Sequence, residues 1–382
     1  MASFKQYKLQ DGTKLWKLQI YGGIDPQTGK PKRIKRAGFK TKKEASLVAS
    51  RLELELEKGT PQKENNILFS AVYKEWYQAY INTVGESTWN RTAGMFDNHI
   101  LPALGKYRIR TITVDQVQKA VNKWFKVATR NYKRWYNYVV NVFEFALKRG
   151  YIDRNIAKLV TLPKKHASAG DAPENFWDKD QLETFFSYLD PNKETEKYTL
   201  FRVLAFCGVR RGECLALTWN DINFTDCTMR INKTLTQGKG GKQIVQSPKT
   251  KHSRRTIDLD PTTVNYLKHW KAVQKRKYFM LGYNTLQPKQ LIFANNKNGH
   301  KSLNTPAKWL KPIIADHNLK PITIHGFRHS HASLLFSAGA SIKEVQLRLG
   351  HADVSTTLNI YTHVTKKQNK EAVQKLVNYA DF

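Results

Sequence analysis

The sequence predicts a multidomain α+β protein made of three differently patterned regions. Its 382 residues exceed what one hydrophobic core usually organises, so two or three domains are expected. Residues 1–60 alternate apolar and polar side chains as strands do, whereas residues 67–163 repeat apolar side chains every three to four positions. Residues 174–382 predict a mainly helical domain with a three-stranded antiparallel sheet, whose strands are expected over 226–235, 242–247 and 254–259. Polar stretches at 60–66 and 164–175 are expected to be linkers.

The first region, residues 1–60, predicts a small sheet of three short strands with one helix. A turn rich in Gly and Asp separates an apolar-faced strand from a basic strand over residues 30–38. Thr41 followed by Glu44 is the pattern of a capping box, so a helix is expected to begin there. The basic strand supplies the cations that we expect to bind a polyanion: Lys32, Arg33, Lys35 and Arg36.

The second region, residues 67–163, predicts a bundle of four helices. Ser87 and Thr113 are expected to cap the second and third helices, and Pro102 with Gly105 is expected to end the second. Its many aromatic side chains fall at helical spacing and are interpreted as core. Basic side chains between them are candidate contacts to a polyanion: Arg91, Lys123, Arg130 and Lys133.

Composition constrains the partner and the compartment. Lysine and arginine number 64 against 31 acidic residues, which gives a formal charge of +33 at pH 7. Such an excess favours a nucleic acid, whose counterions are released on binding. The three cysteines form no Cys-x-x-Cys pair, and no apolar run reaches membrane-spanning length. We therefore expect a cytoplasmic protein without a metal, a cofactor or a membrane partner.

The most informative segment is 325–361, which places cations, imidazoles and a phenol near predicted helix ends. His325 and Arg328 are three residues apart and share one helical face. A second helix ends on a glycine, so His351 lies on a turn, and Tyr361 follows ten residues later. This group suits a phosphodiester, which needs positive charge on its oxygens and a nucleophile for its phosphorus.

These motifs resemble those of the tyrosine recombinase (phage integrase) family. The resemblance rests on CGVRRGE at 207–213, SPKTKHSRRTI at 247–257, HGFR at 325–328, and LGH at 349–351 with Tyr361 beyond it. Each motif alone is weak, but four in this order over about 150 residues are specific.

The resemblance extends over nearly the whole chain and implies a function for each region. Residues 1–60 are similar to an arm-type DNA-binding domain, 67–163 to a helical core-binding (SAM-like) domain, and 174–382 to the catalytic domain. It implies a site-specific recombinase of a phage or an integrative/conjugative element, which acts on double-stranded DNA attachment sites as a homotetramer. An excisionase and a DNA-bending protein are candidate partners. Residues 366–382 are expected to form a helix that docks on a neighbouring copy or folds back on its own domain.

The resemblance also implies how the reaction proceeds. Tyr361 attacks the phosphorus and leaves a 3′-phosphotyrosine, while arginines and histidines bind the phosphate oxygens. Lys249, on a hairpin, is expected to protonate the departing 5′-oxygen, and Lys251 competes for that role. The implied catalytic residues are Arg210, Lys249, His325, Arg328, His351 and Tyr361, with Glu213 beside them.

Two alternative functions remain open at the level of sequence. A type IB topoisomerase uses a similar set of side chains, but the predicted arm-type domain argues against it. A non-catalytic DNA-binding protein would retain the basic charge, and the complete set of motifs disfavours it.

Overall fold

The structure is a computed structural model that describes residues 2–24, 31–57, 67–165, 174–248, 251–355, 357–358 and 361. Its contacts divide the chain into two compact units, Met1–His166 and Ala167–Phe382. The division lies within the stretch 164–175 that the sequence predicts to be a linker. Helices with small antiparallel sheets make up both units, so the predicted α+β fold class is confirmed.

An antiparallel three-stranded sheet and one helix open the first unit. Its elements are β1 (Ser3–Lys8), β2 (Lys14–Ile24), β3 (Pro31–Phe39) and α1 (Lys42–Glu57). The helix begins as predicted, because the Glu44 amide donates to the Thr41 hydroxyl at 3.1 Å. The Glu44 carboxylate accepts from the Lys40 amide at 3.0 Å. Leu18 and Ile20 on the sheet are buried together with alanines of α1.

A helical bundle forms the remainder of the first unit. Its helices are α2 (Phe69–Tyr80), α3 (Glu86–Met95), a π-helical turn (Phe96–Ile100), α4 (Leu101–Leu104), α5 (Val114–Val127) and α6 (Tyr132–Lys148). Phe69, Phe96 and Phe143 lie in its core and are fully buried. Thr113 caps α5 in a capping box with Gln116, as predicted.

Two expected helix boundaries in this bundle are wrong. Gly85, not Ser87, occupies the capping position of α3, so Ser87 lies inside the first turn. Pro102 does not end a helix; it lies in the first turn of α4, where its missing N–H is not needed. Gly105, the other residue expected to end the helix, does occupy the C-terminal capping position of α4. The π-helical turn before it changes the helical register, and the pattern of apolar residues does not reveal such a turn.

The second unit packs helices around small antiparallel sheets. Its helices are α7 (Lys179–Ser187), α8 (Thr195–Cys207), α9 (Arg211–Cys214), α10 (Pro261–Met280), α11 (Thr305–Asp316), α12 (Ile324–Ser337) and α13 (Ile342–Leu349). Its strands are β4 (Ile222–Asn223), β5 (Thr228–Ile231), β6 (Thr234–Gln237), β7 (Gln243–Gln246) and β8 (Arg255–Asp258). Helix α12 packs on α8 through Phe327, whose ring centroid lies 5.3 Å from that of Phe201. This contact places the beginning of α12 beside the middle of α8.

A three-stranded antiparallel sheet is present, but its strands are not the three expected, because the strand expected over 242–247 pairs elsewhere. Strand β5 joins β4 and β8, whereas β6 pairs with β7 in a separate hairpin. The single strand expected over 226–235 is therefore two strands. They separate at Lys233, whose ammonium group contacts the buried Asp221 carboxylate. That ion pair joins residues distant in sequence, so strand periodicity could not predict the break.

Glycines in the left-handed conformation end the helices that lead to the predicted site. Gly208 follows α8 with φ +62°, and Gly350 follows α13 with φ +68°. A Cβ on Gly208 would lie 2.5 Å from His331 Cδ2, and a Cβ on Gly350 would lie 2.7 Å from the His252 carbonyl oxygen. Both turns need glycine for conformation and for space.

We predict that Gly208→Ala destabilises the second unit more than Gly339→Ala does. Both glycines have positive φ, but a Cβ on Gly339 would meet nothing within 4 Å. Left-handed strain costs about 1–2 kcal/mol in both variants, and overpacking adds about 1–3 kcal/mol at Gly208 only. Hydrogen exchange of the α12 amides measures the difference. Equal loss of protection in the two variants would contradict the close packing of Gly208.

Candidate active site

Three helix ends bring five of the predicted site residues into one cluster. Arg210 occupies the capping position of α9, and Glu213 lies within that helix. His325 and Arg328 lie in the first two turns of α12, and His351 follows the glycine that ends α13. Besides burial, the charges of Arg328 and Arg210 lower the pKa values of both histidines, so these four side chains lie close together.

The buried guanidinium of Arg328 joins two of these helix ends. Its Nη1 donates to the Gly208 carbonyl at 2.8 Å, and its Nη2 donates to the Leu349 carbonyl at 2.7 Å. Burial, followed by the charges of Arg210 and Arg255, lowers the pKa of Arg328 to about 9. The group stays positively charged at neutral pH. Arg328 therefore both holds the cluster together and supplies charge to it.

The Glu213 carboxylate is buried between two guanidinium groups. Its Oε1 accepts from Arg210 Nη1 at 2.7 Å, and its Oε2 accepts from Arg255 Nη2 at 3.1 Å. Burial alone would raise the pKa of Glu213, but the charges and hydrogen bonds of Arg255 and Arg210 outweigh it and lower the pKa. Arg210 Nη2 also lies 3.4 Å from the Gly350 carbonyl. A charged Glu213 thus holds Arg210 beside the turn that carries His351.

The His325 ring lies beside other cationic or titratable groups. Its centroid is 4.8 Å from that of His329, with the rings nearly perpendicular. Burial, then the neighbouring His329 and Arg328, lowers the pKa of His325 to about 4. The residue is nevertheless exposed to solvent, so a ligand can reach it. The imidazole is neutral at pH 7 in the absence of an anion.

His351 is buried and fixed by a hydrogen bond. Its Nδ1 lies 2.8 Å from Thr357 Oγ1. Burial, then the charges of Arg328 and Arg210, lowers the pKa of His351 to about 3. The Nδ1 contact leaves Nε2 as the ring nitrogen available to a ligand. A bound anion would offset the positive charges and raise this pKa.

The Tyr361 ring packs against the last turn of α12, at the end of the helix opposite to His325 and Arg328. Its ring centroid lies 5.1 Å from that of Phe336, and 36% of its surface is exposed. His325 and Arg328, by contrast, lie in the first two turns of the same helix. Lys249 lies outside the described residues, as does the side chain of Lys251.

The predicted polyanion contacts lie on exposed surfaces of the first unit. The side chains of Arg33 and Lys35 lie on one face of the sheet. Their partners on β2, Tyr21 and Gln19, lie on the same face. Arg36 is exposed too, but it pairs with the buried Leu18, so its side chain lies on the opposite face of the sheet. The Lys32 side chain lies outside the described residues. On the helical bundle the exposed candidates are Arg91, Lys123, Arg130 and Lys133.

Sequence reasoning missed three residues that support the cluster. Arg255 contacts Glu213, and Arg348 Nε donates to His331 Nε2 at 3.1 Å. The double arginine Arg254-Arg255 was the only available signal, and strand alternation indicates that one of the two points inward without saying which. Helical periodicity likewise could not separate the buried His331 from the exposed His325 and the half-buried His329 on the same helix.

Comparison with known proteins defines the class of this chain. The model described as "Phage integrase family" matches residues 175–368, just over half of the chain. "Phage integrase, N-terminal SAM-like domain" matches 68–125, and "Arm DNA-binding domain" matches 4–56. The chain therefore belongs to the phage integrase family. It is a tyrosine-type site-specific recombinase, as the predicted resemblance implied.

Individual relatives agree with this membership. The ICEBs1 integrase of Bacillus subtilis (strain 168) is 26% identical over 377 residues, which cover 97% of this chain and 98% of that protein. The Tn1549 transposon integrase, solved with a circular intermediate DNA, has a TM-score of 0.65 at 18% identity and covers 81% of this chain and 100% of that one. A lambda integrase tetramer bound to a Holliday junction has a TM-score of 0.58 at 16% identity. The match covers 93% of this chain and 94% of that one. The two structural likenesses concern the fold.

The described residues contain neither a metal-binding cluster nor a membrane-spanning helix. No group of three or more His, Cys, Asp or Glu side chains there could hold a metal ion. Within the same part of the chain, no helix is both long and apolar enough to cross a membrane.

We predict that His331 makes the second unit less stable in mild acid. Its Nδ1 contacts the Ala205 carbonyl at 3.0 Å and its Nε2 accepts from Arg348, so the ring must be neutral. Burial, then the charge of Arg348, lowers its pKa to about 3, whereas the unfolded value is about 6.5. The unfolded state therefore binds the extra proton. Stability is complete above about pH 6.5 and declines as the pH falls toward about 3.

Urea unfolding at pH 7 and pH 5 tests this prediction against His331→Gln, which cannot gain a proton. Wild type should lose about 2 kcal/mol more than the variant between these pH values. Equal losses in the two proteins would show that His331 does not contribute to the acid sensitivity.

Proposed function

We propose that the chain integrates and excises a mobile element, of a phage or an integrative/conjugative type, by cutting and rejoining DNA through a 3′-phosphotyrosine. The observation that carries this proposal is the pair of guanidinium groups of Arg210 and Arg328, held beside His325 and His351 at three helix ends. A scissile phosphate carries negative charge on two oxygens, and that charge must be offset before a nucleophile can approach. This cluster is built to supply the offset.

The arginines would bind the non-bridging oxygens. Arg328 uses two of its five N–H donors on backbone carbonyls, which leaves three for a phosphate. Arg210 keeps 37% of its side chain exposed while Glu213 holds it from behind. Two planar guanidinium groups match the geometry of a phosphate better than lysines would.

The histidines would donate hydrogen bonds and receive a proton. The lowered pKa values of His325 and His351 mean that both rings are neutral before DNA binds. A neutral ring can accept the proton that the Tyr361 phenol loses on attacking phosphorus. Departure of the 5′-oxygen then needs a proton donor, for which we propose Lys249, with Lys251 as the competitor.

The other regions would deliver this chemistry to particular DNA sites. We propose that residues 1–60 bind arm-type sites, 67–163 bind the core site, and 174–382 carry out catalysis. The exposed cations of the first unit support double-stranded DNA as the partner. A homotetramer on the attachment sites is proposed by analogy with the lambda integrase tetramer. We also propose an excisionase and a DNA-bending protein as partners, and the bacterial cytoplasm as the location.

We predict that a covalent protein–DNA complex forms on nicked suicide substrates in EDTA and depends on Tyr361. Tyr361→Phe should abolish the complex because the ring without its oxygen cannot attack phosphorus. Tyr188→Phe is the matched control: Tyr188 is similarly exposed but stacks on His317, so its variant should behave as wild type. Denaturing gels measure the covalent band.

The distribution of the band separates the alternatives. A complex that forms only on attachment-site duplexes supports recombination. A complex on any duplex would favour a type IB topoisomerase. Tight binding without any covalent band would indicate a non-catalytic DNA-binding protein.

We predict that Arg328→Lys slows single-turnover cleavage by roughly 100- to 1,000-fold, because an ammonium cannot reach both carbonyls and the phosphate. The dissociation constant for core-site DNA should change by less than about tenfold, because the many other phosphate contacts remain. Arg276→Lys, an exposed exchange on α10, is the control. Unchanged cleavage by Arg328→Lys at saturating protein would refute the role assigned to Arg328.

A further inference from the structure

Arg255 is an inner arginine of the active-site cluster. It begins β8, and only 6% of its side chain is exposed. Its Nη2 donates to Glu213 Oε2 at 3.1 Å, and its Nη1 lies 3.5 Å from Glu213 Oε1. Its Nε donates to the Arg348 carbonyl at 2.7 Å, and Nη1 also donates to the Ser253 carbonyl at 3.3 Å. Arg255 thus joins β8, which begins within the 247–257 motif, to both α9 and α13.

The charge balance around Glu213 depends on Arg255. If Arg210 were the only partner of this carboxylate, the pair would be neutral and Arg210 would attract a phosphate weakly. With Arg255 as the second partner, the three groups together carry a net charge of one positive unit. Arg255 is the more buried of the two guanidinium groups, with 6% of its side chain exposed against 37% for Arg210. The buried Arg255 therefore offsets the negative charge of Glu213, and the positive charge of the more exposed Arg210 remains available to a ligand.

The position of the His351 turn also depends on Arg255. The carbonyl that accepts from Arg255 Nε belongs to Arg348, two residues before Gly350. A Cβ on Gly350 would lie 3.2 Å from Arg255 Cδ, so the arginine side chain runs directly against this turn. One side chain consequently contacts both the carboxylate behind Arg210 and the helix end that precedes His351.

We propose that Arg255 is a positioning residue, which offsets the charge of Glu213 and thereby keeps Arg210 cationic toward the scissile phosphate. Arg255 itself does not contact DNA. This inference rests on the proposed function, because it assigns a role within the same reaction.

The test is single-turnover cleavage of the nicked suicide substrate at saturating protein, with the dissociation constant measured separately. Arg255→Met should slow cleavage on the order of 10- to 100-fold, because Glu213 then neutralises and withdraws Arg210. The dissociation constant should change by less than about threefold, because the lost charge is buried. Arg254→Met is the matched control: it removes the neighbouring cation, which precedes β8, is exposed and donates to Ser247, and its saturating cleavage rate should equal that of wild type.

The double variant Arg255→Met/Glu213→Gln separates charge balance from packing. Glutamine can still accept from Arg210 but no longer offsets its charge, so the double variant should cleave at least about fivefold faster than Arg255→Met alone. A packing role predicts that a second substitution in the same cluster slows the reaction further or leaves it unchanged. Hydrogen exchange of the α12 amides checks that each variant is folded; if Arg255→Met is not, Arg255→Gln with and without Glu213→Gln makes the same comparison.

The outcomes distinguish this inference from the proposed function. If wild type forms no covalent complex on attachment-site DNA, both fail. If wild type forms it but Arg255→Met cleaves as fast as wild type, only the role of Arg255 fails. If the double variant is no faster than the single one, charge balance is overturned.

Discussion

The active-site cluster depends on one buried cation, the guanidinium of Arg328. It donates to the carbonyls of Gly208 and Leu349, which are contributed by two helix ends distant in sequence. Each carbonyl would otherwise end a helix without a partner, and the guanidinium satisfies both while remaining charged. Helices α8 and α13 can meet there because left-handed glycines end them without a Cβ. The positions of Arg210 and His351 follow from this meeting point.

Concentrated positive charge has a consequence for the imidazoles. Burial first, and then the charges of nearby guanidinium groups, lower the pKa values of His325, His331 and His351. Among the described residues of the cluster, the Glu213 carboxylate offsets part of this charge without removing it. The free site is therefore electrostatically incomplete, and an anion is the ligand that completes it. A DNA phosphate supplies that charge and would restore proton affinity to the histidines where the reaction needs them.

Sequence reasoning succeeded where local rules govern the structure. The caps at Thr41 and Thr113, and the helix that Gly350 ends, all form as expected. The failures have tertiary or register causes. A buried ion pair at Lys233 divides a predicted strand, and a π-helical turn before Pro102 carries the chain past an expected break.

The sequence by itself determined the class of this protein, because motif order and periodicity are properties of the chain and survive without coordinates. It also determined which residue types could handle a phosphodiester. Only the tertiary structure decided that Arg255, rather than Arg254, faces Glu213, and that His331 is a buried acceptor for Arg348. These contacts join strands and helices far apart in sequence, and their geometry arises from packing α8, α12 and α13 together. No local pattern encodes that packing, since each helix only specifies which of its faces is apolar.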